Sequence, residues 1–209
     1  VSVHIDQAAD DELEVCASIL TAAFLDDPVV RTYVRGERAR LARLTDLHLA
    51  MLTSGARHGG AVDVARTQPR GEVIGVGVWE GPTDTTPWVA RLRNLPRLAH
   101  AYGLRELPAS LRSQHAFAEV RPRVPHWYLA EIAVSPRAQG LGVGTSLLSH
   151  RLGAIDRGEH LPAFLEATTD GSRRLYERWG FEPSGDVVVD GVTATAMTRP
   201  AASGVDGER

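Results

Sequence analysis

The chain has 209 residues, 43% of them hydrophobic and 23% charged, with a net charge of −3. That length suits one domain with a real core, and that composition excludes wholesale disorder. A mildly acidic chain lacks the basic field that nucleic-acid binding needs, and no apolar run is long enough to span a bilayer, so neither nucleic acid nor membrane is an expected partner.

All 23 basic residues are arginine. A GC-rich coding sequence explains the missing lysine, and the chain has no lysine side chain of its own to be modified. The single cysteine, Cys16, cannot form an internal disulfide, and the opening VSVHIDQAADD lacks the basic-then-apolar layout of a signal peptide. Both features suggest a cytoplasmic protein. Set among apolar neighbours in a helical pattern, Cys16 reads as a small core residue.

In chain order, Val1, Val3 and Ile5 alternate with polar residues and predict a first strand. Asp10 reads as the N-cap of a helix carrying Leu13, Cys16, Leu20 and Phe24 on one face. Asp26-Asp27-Pro28 stops that helix, because proline disfavours helical geometry in the residue before it. A second helix is expected from Arg38 to Ala56, with Leu41, Leu44, His48, Met51 and Leu52 on one side. AVDVAR and EVIGVGVW predict two strands joined by the turn Gln68-Pro69-Arg70-Gly71.

Over residues 81–125, prolines at positions 82, 87, 96, 108, 122 and 125 cut the pattern into short pieces. Helices are expected over 88–102 and 104–118, forming an insertion that packs over the sheet and walls one side of a pocket. HWYLAEIAVSP then reads as an apolar strand and RAQGLGVGTSLLSHRL as a glycine-rich turn opening a helix. LPAFLEATTDGSRRLYERWGF reads as a second apolar strand followed by a short helix. VVVDG and VTATAM close as a hairpin turning at Asp190-Gly191. The small, polar tail from Ala201 to Arg209 is expected to be disordered. The whole predicts a mixed α/β sheet in one domain over residues 1–200.

The glycine-rich turn carries chemistry. Gly142 and Gly144 let the backbone turn tightly and approach an anion without a Cβ in the way. Val143, Leu147, Leu148, Leu152 and Ile155 give the following helix one apolar face, which docks it on the sheet and holds its N-terminus still. Several N–H groups then converge at the positive end of a helix, where a pyrophosphate fits. The turn is not a Rossmann fingerprint, because that spacing needs glycine where Thr145 stands.

Gln139-Gly140-Leu141-Gly142-Val143-Gly144 matches the Q/R-x-x-G-x-G/A signature, so the chain resembles the GCN5-related N-acetyltransferase (GNAT) superfamily. More narrowly it is similar to the puromycin N-acetyltransferases, through AAFLDDP, a strand ending in VWEGP, the long insertion, WYLAEIAVSP, QGLGVG, PAFLEA and LYERWGF. The resemblance extends to about Pro200. It implies a mostly antiparallel sheet, splayed at its centre, with helices on both faces and the helical insertion before the fourth strand. The implied co-substrate is acetyl-CoA, its pyrophosphate on Gln139, Gly140, Leu141, Gly142, Val143, Gly144 and Thr145. Its pantetheine arm lies along Ile132, Ala133 and Val134 as if it were another strand.

By the same resemblance, Tyr176 protonates the departing thiolate, which suits a phenol that is neutral at physiological pH. Ser172 would meet the cofactor where relatives place asparagine. The general base is open between Glu166 and Glu131, each a carboxylate in an otherwise apolar run, with Tyr128 and His126 as weaker options. Phe24, Asp27, Trp79 and Tyr128 are expected to border the acceptor, a small-molecule amine, and Asp27 would favour a cationic one. No metal is implied. Homodimers are frequent among relatives. With no cysteine placed as nucleophile, direct attack in a ternary complex is expected. The rival reading is an acetyl-CoA sensor of the same fold without turnover.

Overall fold

Alternating apolar residues in AVDVAR and VIGVGVWE become neighbouring strands, and the other elements are placed against them. The computed structural model describes residues 3–83 and 85–202. Seven strands form one sheet: β1 (His4–Gln7), β2 (Ala61–Arg66), β3 (Val73–Glu80), β4 (Trp127–Val134), β5 (Ala163–Ala167), β6 (Glu182–Val189) and β7 (Val192–Arg199). Their order is β1-β2-β3-β4-β5-β7-β6. Every neighbouring pair is antiparallel except β4 with β5. That parallel pair is joined only at Trp127↔Ala163 and Tyr128↔Phe164, and beyond those residues the strands part.

The helices are α1 (Leu13–Phe24), α2 (Val30–Tyr33), α3 (Arg40–Leu52), α4 (Trp88–Tyr102), α5 (Leu107–Glu119), α6 (Val143–Arg157) and α7 (Asp170–Glu177). Because side chains alternate along a strand, the sheet builds two cores. Val64, Val76 and Val78 pack with Cys16 and Leu20 of α1 and Leu52 of α3. On the opposite face Leu129 and Leu165 pack with Leu148, Leu152 and Ile155 of α6. Each such side chain, fully buried, contributes ~1.5–3 kcal/mol. Cys16 is fully buried, and burial pushes its thiol up to about 12, as suits an inert core residue.

Several expectations are corrected. Asp10 caps nothing: residues 10–12 form a 3-10 turn, and the carboxylate of Glu12 accepts the N–H of Ala9 at 2.9 Å. Leu41 is 60% exposed, because α3 is rotated to bury Arg40, Leu44 and His48 instead. Arg40 belongs inside because its Nε donates to Leu25 O at 2.9 Å and its Nη1 to Val34 O, satisfying carbonyls around α2. The short α2 itself had no periodic signal.

Both insertion helices form, but they pack on α3, α2 and the edge strand β6 more than on the sheet face. Polar ties hold them. Asn94 Nδ2 donates to Ala50 O at 3.2 Å, Arg43 Nε to Ala101 O at 3.0 Å, and Ser110 Oγ to Tyr33 O at 2.7 Å. At the closing hairpin, Asp190 and Gly191 have φ of 52° and 77°, the two left-handed residues of a tight turn matched to strand twist. Among the described residues no helix is long and apolar enough to cross a membrane. Val1 of the expected first strand and residues 203–209 of the tail expected to be disordered lie outside the described residues.

Candidate active site

The parting of β4 from β5 leaves one edge of β4 unpaired, and the ladder on its other side shows which groups face the gap. Ser135 N–H donates to Ile74 O at 2.9 Å, across from β3. Bonded and non-bonded residues alternate along an antiparallel ladder. Ala133 therefore also faces β3, while the N–H and C=O of Ile132 and Val134 point into the gap. Ala133 lines the cleft, with its polar backbone turned to β3.

The register slips once in this ladder. Val78 opposes Glu131 while Trp79 opposes Leu129, so β4 carries one extra residue. A bulge of this kind re-aims side chains. Trp127 and Leu129 before it face α6, as Ile132 does after it, while Glu131 is turned toward α3. Trp79 is corrected by the same alternation: it is 1% exposed in the α6-side core and does not line the cleft.

At the end of β4 the chain passes through a 3-10 turn, Pro136–Ala138, into the glycine-rich segment. Gly140 and Gly142 have φ of 78° and 77°, the left-handed region that favours glycine. A Cβ at either would meet nothing within 4 Å, so backbone angle rather than crowding calls for glycine. Ser146 N–H donates to Gly142 O at 3.0 Å, the first bond of α6. The N–H groups of Val143, Gly144 and Thr145 consequently have no acceptor inside the helix. Val143 is buried in the core and pins this end, whereas Leu141 and Thr145 are exposed. Gln139 and Gly144 line the cleft. Free donors at a helix N-terminus, beside an open strand edge, fit the pyrophosphate and amide-bearing arm of coenzyme A.

Across the cleft stands α7. Thr169 and Ser172 cap it reciprocally: Ser172 N–H donates to Thr169 Oγ1 at 3.1 Å and Thr169 N–H to Ser172 Oγ at 3.2 Å. Ser172 lines the cleft, but its hydroxyl is engaged by this cap. Gly180, with φ of 80°, ends the helix, and Phe181 N–H donates to Tyr176 O at 3.2 Å. Tyr176 is thereby held at the cleft wall, 7% exposed, its ring edge-on to Phe181 at 6.0 Å. Among the described residues its hydroxyl has no hydrogen-bond partner. Burial raises the phenol above its ordinary value, so it keeps its proton at neutral pH.

The cleft, about 410 Å3, continues past Tyr128 and Glu131 into a chamber of about 560 Å3 walled by α3, α4 and α5. Three carboxylates stand near this junction. Glu166 Oε2 accepts the hydroxyl of Tyr128 at 2.8 Å, while Oε1 is buried without a partner. Burial raises the Glu166 carboxyl, opposed by the positive charge of Arg121 and by the Tyr128 hydrogen bond. Glu131 Oε2 lies 3.3 Å from His48 Nε2, off the line of a hydrogen bond, and both atoms are otherwise unpartnered. Asp27 is already satisfied: Oδ1 accepts the N–H groups of Val29 and Val30 at 2.8 and 3.0 Å, and Oδ2 accepts Thr168 Oγ1 at 2.9 Å. It and Phe24 line the cleft, and the Asp27 carboxylate also braces the turn after α1.

Two contributors escaped the sequence reading. Arg121 lies 3.6 Å over the Tyr128 ring and donates to Glu80 Oε2 at 3.1 Å. It sits in a proline-broken stretch with no period to mark it. His48 had been placed on a buried helix face, and a histidine at a core position was the available signal.

Comparison with known proteins agrees with this geometry. The sequence profile of the acetyltransferase (GNAT) domain matches residues 109–183. A GCN5-like protein acetyltransferase of Mycobacterium tuberculosis is 33% identical over 113 residues, covering 47% of this chain and 55% of that protein. An uncharacterized N-acetyltransferase of Schizosaccharomyces pombe is 27% identical over 177 residues, covering 79% and 68%. The crystal structure of histone acetyltransferase HPA2 and related acetyltransferase from Corynebacterium glutamicum superposes with a TM-score of 0.77 at 30% identity, covering 98% of this chain and 99% of that one. With that likeness running end to end, and with the splayed strands and the glycine turn in place, the chain belongs to the GNAT acetyltransferase family and is an acyltransferase.

Proposed function

We propose that the protein transfers the acetyl group of acetyl-CoA to the primary amine of a small molecule whose apolar body occupies the second chamber, by direct attack in a ternary complex. The observation that carries this reading is the continuity of the β4–β5 gap, beginning at the open start of α6, passing Tyr176, and running into the chamber. Acetyl-CoA, when bound, supplies the activated acetyl group, and acetyl-CoA is the general donor of this family.

The chain's own residues do the rest. The N–H groups of Val143, Gly144 and Thr145 hold the pyrophosphate, and the backbone of Ile132 and Val134 orients the arm along β4. Glu131, lining both cleft and chamber, takes a proton from the amine. Tyr176 donates its proton to the leaving sulfur. Glu166 and Tyr128 hold the incoming ammonium near the unpartnered Oε1. Much of the rate then comes from positioning. Cys16, buried and with its thiol pushed up, is no nucleophile.

The chamber argues for the acceptor class. Leu47, Met51, Leu98, Tyr102, Leu111 and Phe117 give it an apolar wall. With Arg121 paired to Glu80, Glu131 on the chamber and Glu166 on the adjoining cleft leave an excess of acid, which favours a cation. The narrower likeness to puromycin N-acetyltransferases is compatible with such an acceptor. The test is thiol release from acetyl-CoA across a panel of amines; without lysine, the chain adds no lysine acceptor to the background. We expect monoamines with apolar bodies to have the highest kcat/KM. Preference for a lysine peptide would overturn the acceptor class, and acetyl-CoA binding without turnover on any amine would make the protein a sensor.

A further inference from the structure

Glu131 and His48 come from separate elements, β4 and α3, and meet in the interior with two polar atoms facing each other. His48 is fully buried, its Nε2 lies 3.3 Å from Glu131 Oε2, and neither atom has another partner. Such atoms are costly unless something uses them. The other ring nitrogen is held: His48 Nδ1 lies 2.9 Å from Thr21 Oγ1 on α1. Thr45 Oγ1, whose own proton goes to Leu41 O, is a second acceptor for the Thr21 hydroxyl at 3.4 Å, but the Nδ1 contact at 2.9 Å is the shorter of the two. When the Thr21 hydroxyl donates to Nδ1, the ring proton sits on Nε2 and faces the carboxylate. Glu131 keeps 13% of its side chain exposed although Oε2 is buried, so its accessible part lies on the pocket.

Resting on the acetyl-transfer reading above, we propose that His48 is a positioning residue: locked by Thr21, it presents Nε2–H to Glu131 Oε2 and leaves the other carboxylate oxygen turned toward the acceptor amine. The bulge in β4 makes this possible by turning Glu131 toward α3. The 3.3 Å, off-line approach tightens when an ammonium draws the carboxylate into register, as catalytic hydrogen bonds do on substrate binding. The remaining ionisable groups around Glu131 are Asp27 after α1, Tyr33 on α2, Glu80 on β3, His115 on α5, Arg121 beyond it, Tyr128 on β4, Glu166 on β5 and Tyr176 on α7. Nothing else among them is placed against Oε2.

Two measurements on the full chain test the pairing, one of them independent of turnover. In 15N-labelled protein without substrate, the His48 ring should be the neutral Nε2-protonated tautomer, and its Nε2–H signal should move in Glu131→Gln. An Nδ1-protonated ring, or a signal indifferent to Glu131→Gln, overturns the proposal even if the enzyme turns over. With the best amine, His48→Leu should move the acid limb of the kcat/KM profile about one unit toward higher pH, about a tenfold loss on that limb. His48→Gln, whose amide can both donate to Glu131 and accept from Thr21, should keep the wild-type profile within about threefold. A leucine variant with an unmoved limb, or a glutamine variant as impaired as leucine while acetyl-CoA still binds, overturns it. A wild-type protein inactive on every amine but showing the expected tautomer would sink the acetyl-transfer reading and leave the pairing standing.

Discussion

On the α6 face of the sheet, Asp63 is fully buried and takes both Nε and Nη2 of Arg151, the first at 2.9 Å. On the opposite face Glu166 keeps a buried oxygen with no partner, and Glu131 Oε2 has only the off-line approach of His48 Nε2. Both regions bury carboxylates, yet only one is complete without a ligand. A buried charge that is fully paired belongs to the scaffold, and removing one partner strands the other. A buried carboxylate left half-satisfied destabilises the free protein and becomes useful when a cation arrives. The contrast separates the face whose buried charge is paired from the face on which we propose the chemistry occurs.

Asp63→Ala should break the finished side hardest, since Arg151 would stay buried and unpaired: we expect a stability loss of ~3–5 kcal/mol by urea denaturation. A loss under ~1 kcal/mol would show that Arg151 finds water and that the two faces differ less than stated. Tyr176→Phe should lower turnover at least ~100-fold with melting temperature and coenzyme A affinity nearly unchanged. Unaltered turnover would remove the phenol from the reaction. Gly142→Ala places a Cβ at a φ of 77° and should cost ~1–2 kcal/mol of stability by urea denaturation. Unchanged stability would mean the turn relaxes without needing the left-handed angle.

The smallest effect comes from Glu166→Gln. Burial raises the folded carboxyl above its unfolded value, so the folded state holds the proton more tightly. The stability contributed is present at low pH and is lost as pH rises through the raised value. Removing the charge should therefore stabilise the protein by ~0.5–2 kcal/mol at pH 7, with the gain fading below about pH 4, while acceptor KM rises. Destabilisation at pH 8 would show instead that attraction to Arg121 outweighs burial.

Much of the cofactor side was legible as local pattern. The apolar run of β4, the left-handed glycines before α6 and the LYERWGF helix are each defined by residues close in sequence, and the structure assembles them around one gap. The acceptor side was not. Trp79 and Tyr128 are both aromatic residues on central strands, yet alternation sends one into the core and the other to the pocket. Asp27 read as a pocket acid alone, but three hydrogen bonds from nearby and distant groups also engage its carboxylate.

By itself the amino-acid order determined the strands and the longer helices in their order, the two insertion helices, the Asp190-Gly191 hairpin and the glycine-rich turn, because periodicity and backbone preference act over a few residues. Only the tertiary structure decided that His48 meets Glu131, that Arg121 lies over Tyr128, and that β4 and β5 separate after two residue pairs. Those outcomes depend on a one-residue bulge and on the packing of helices far apart in the chain, and no local pattern carries that information.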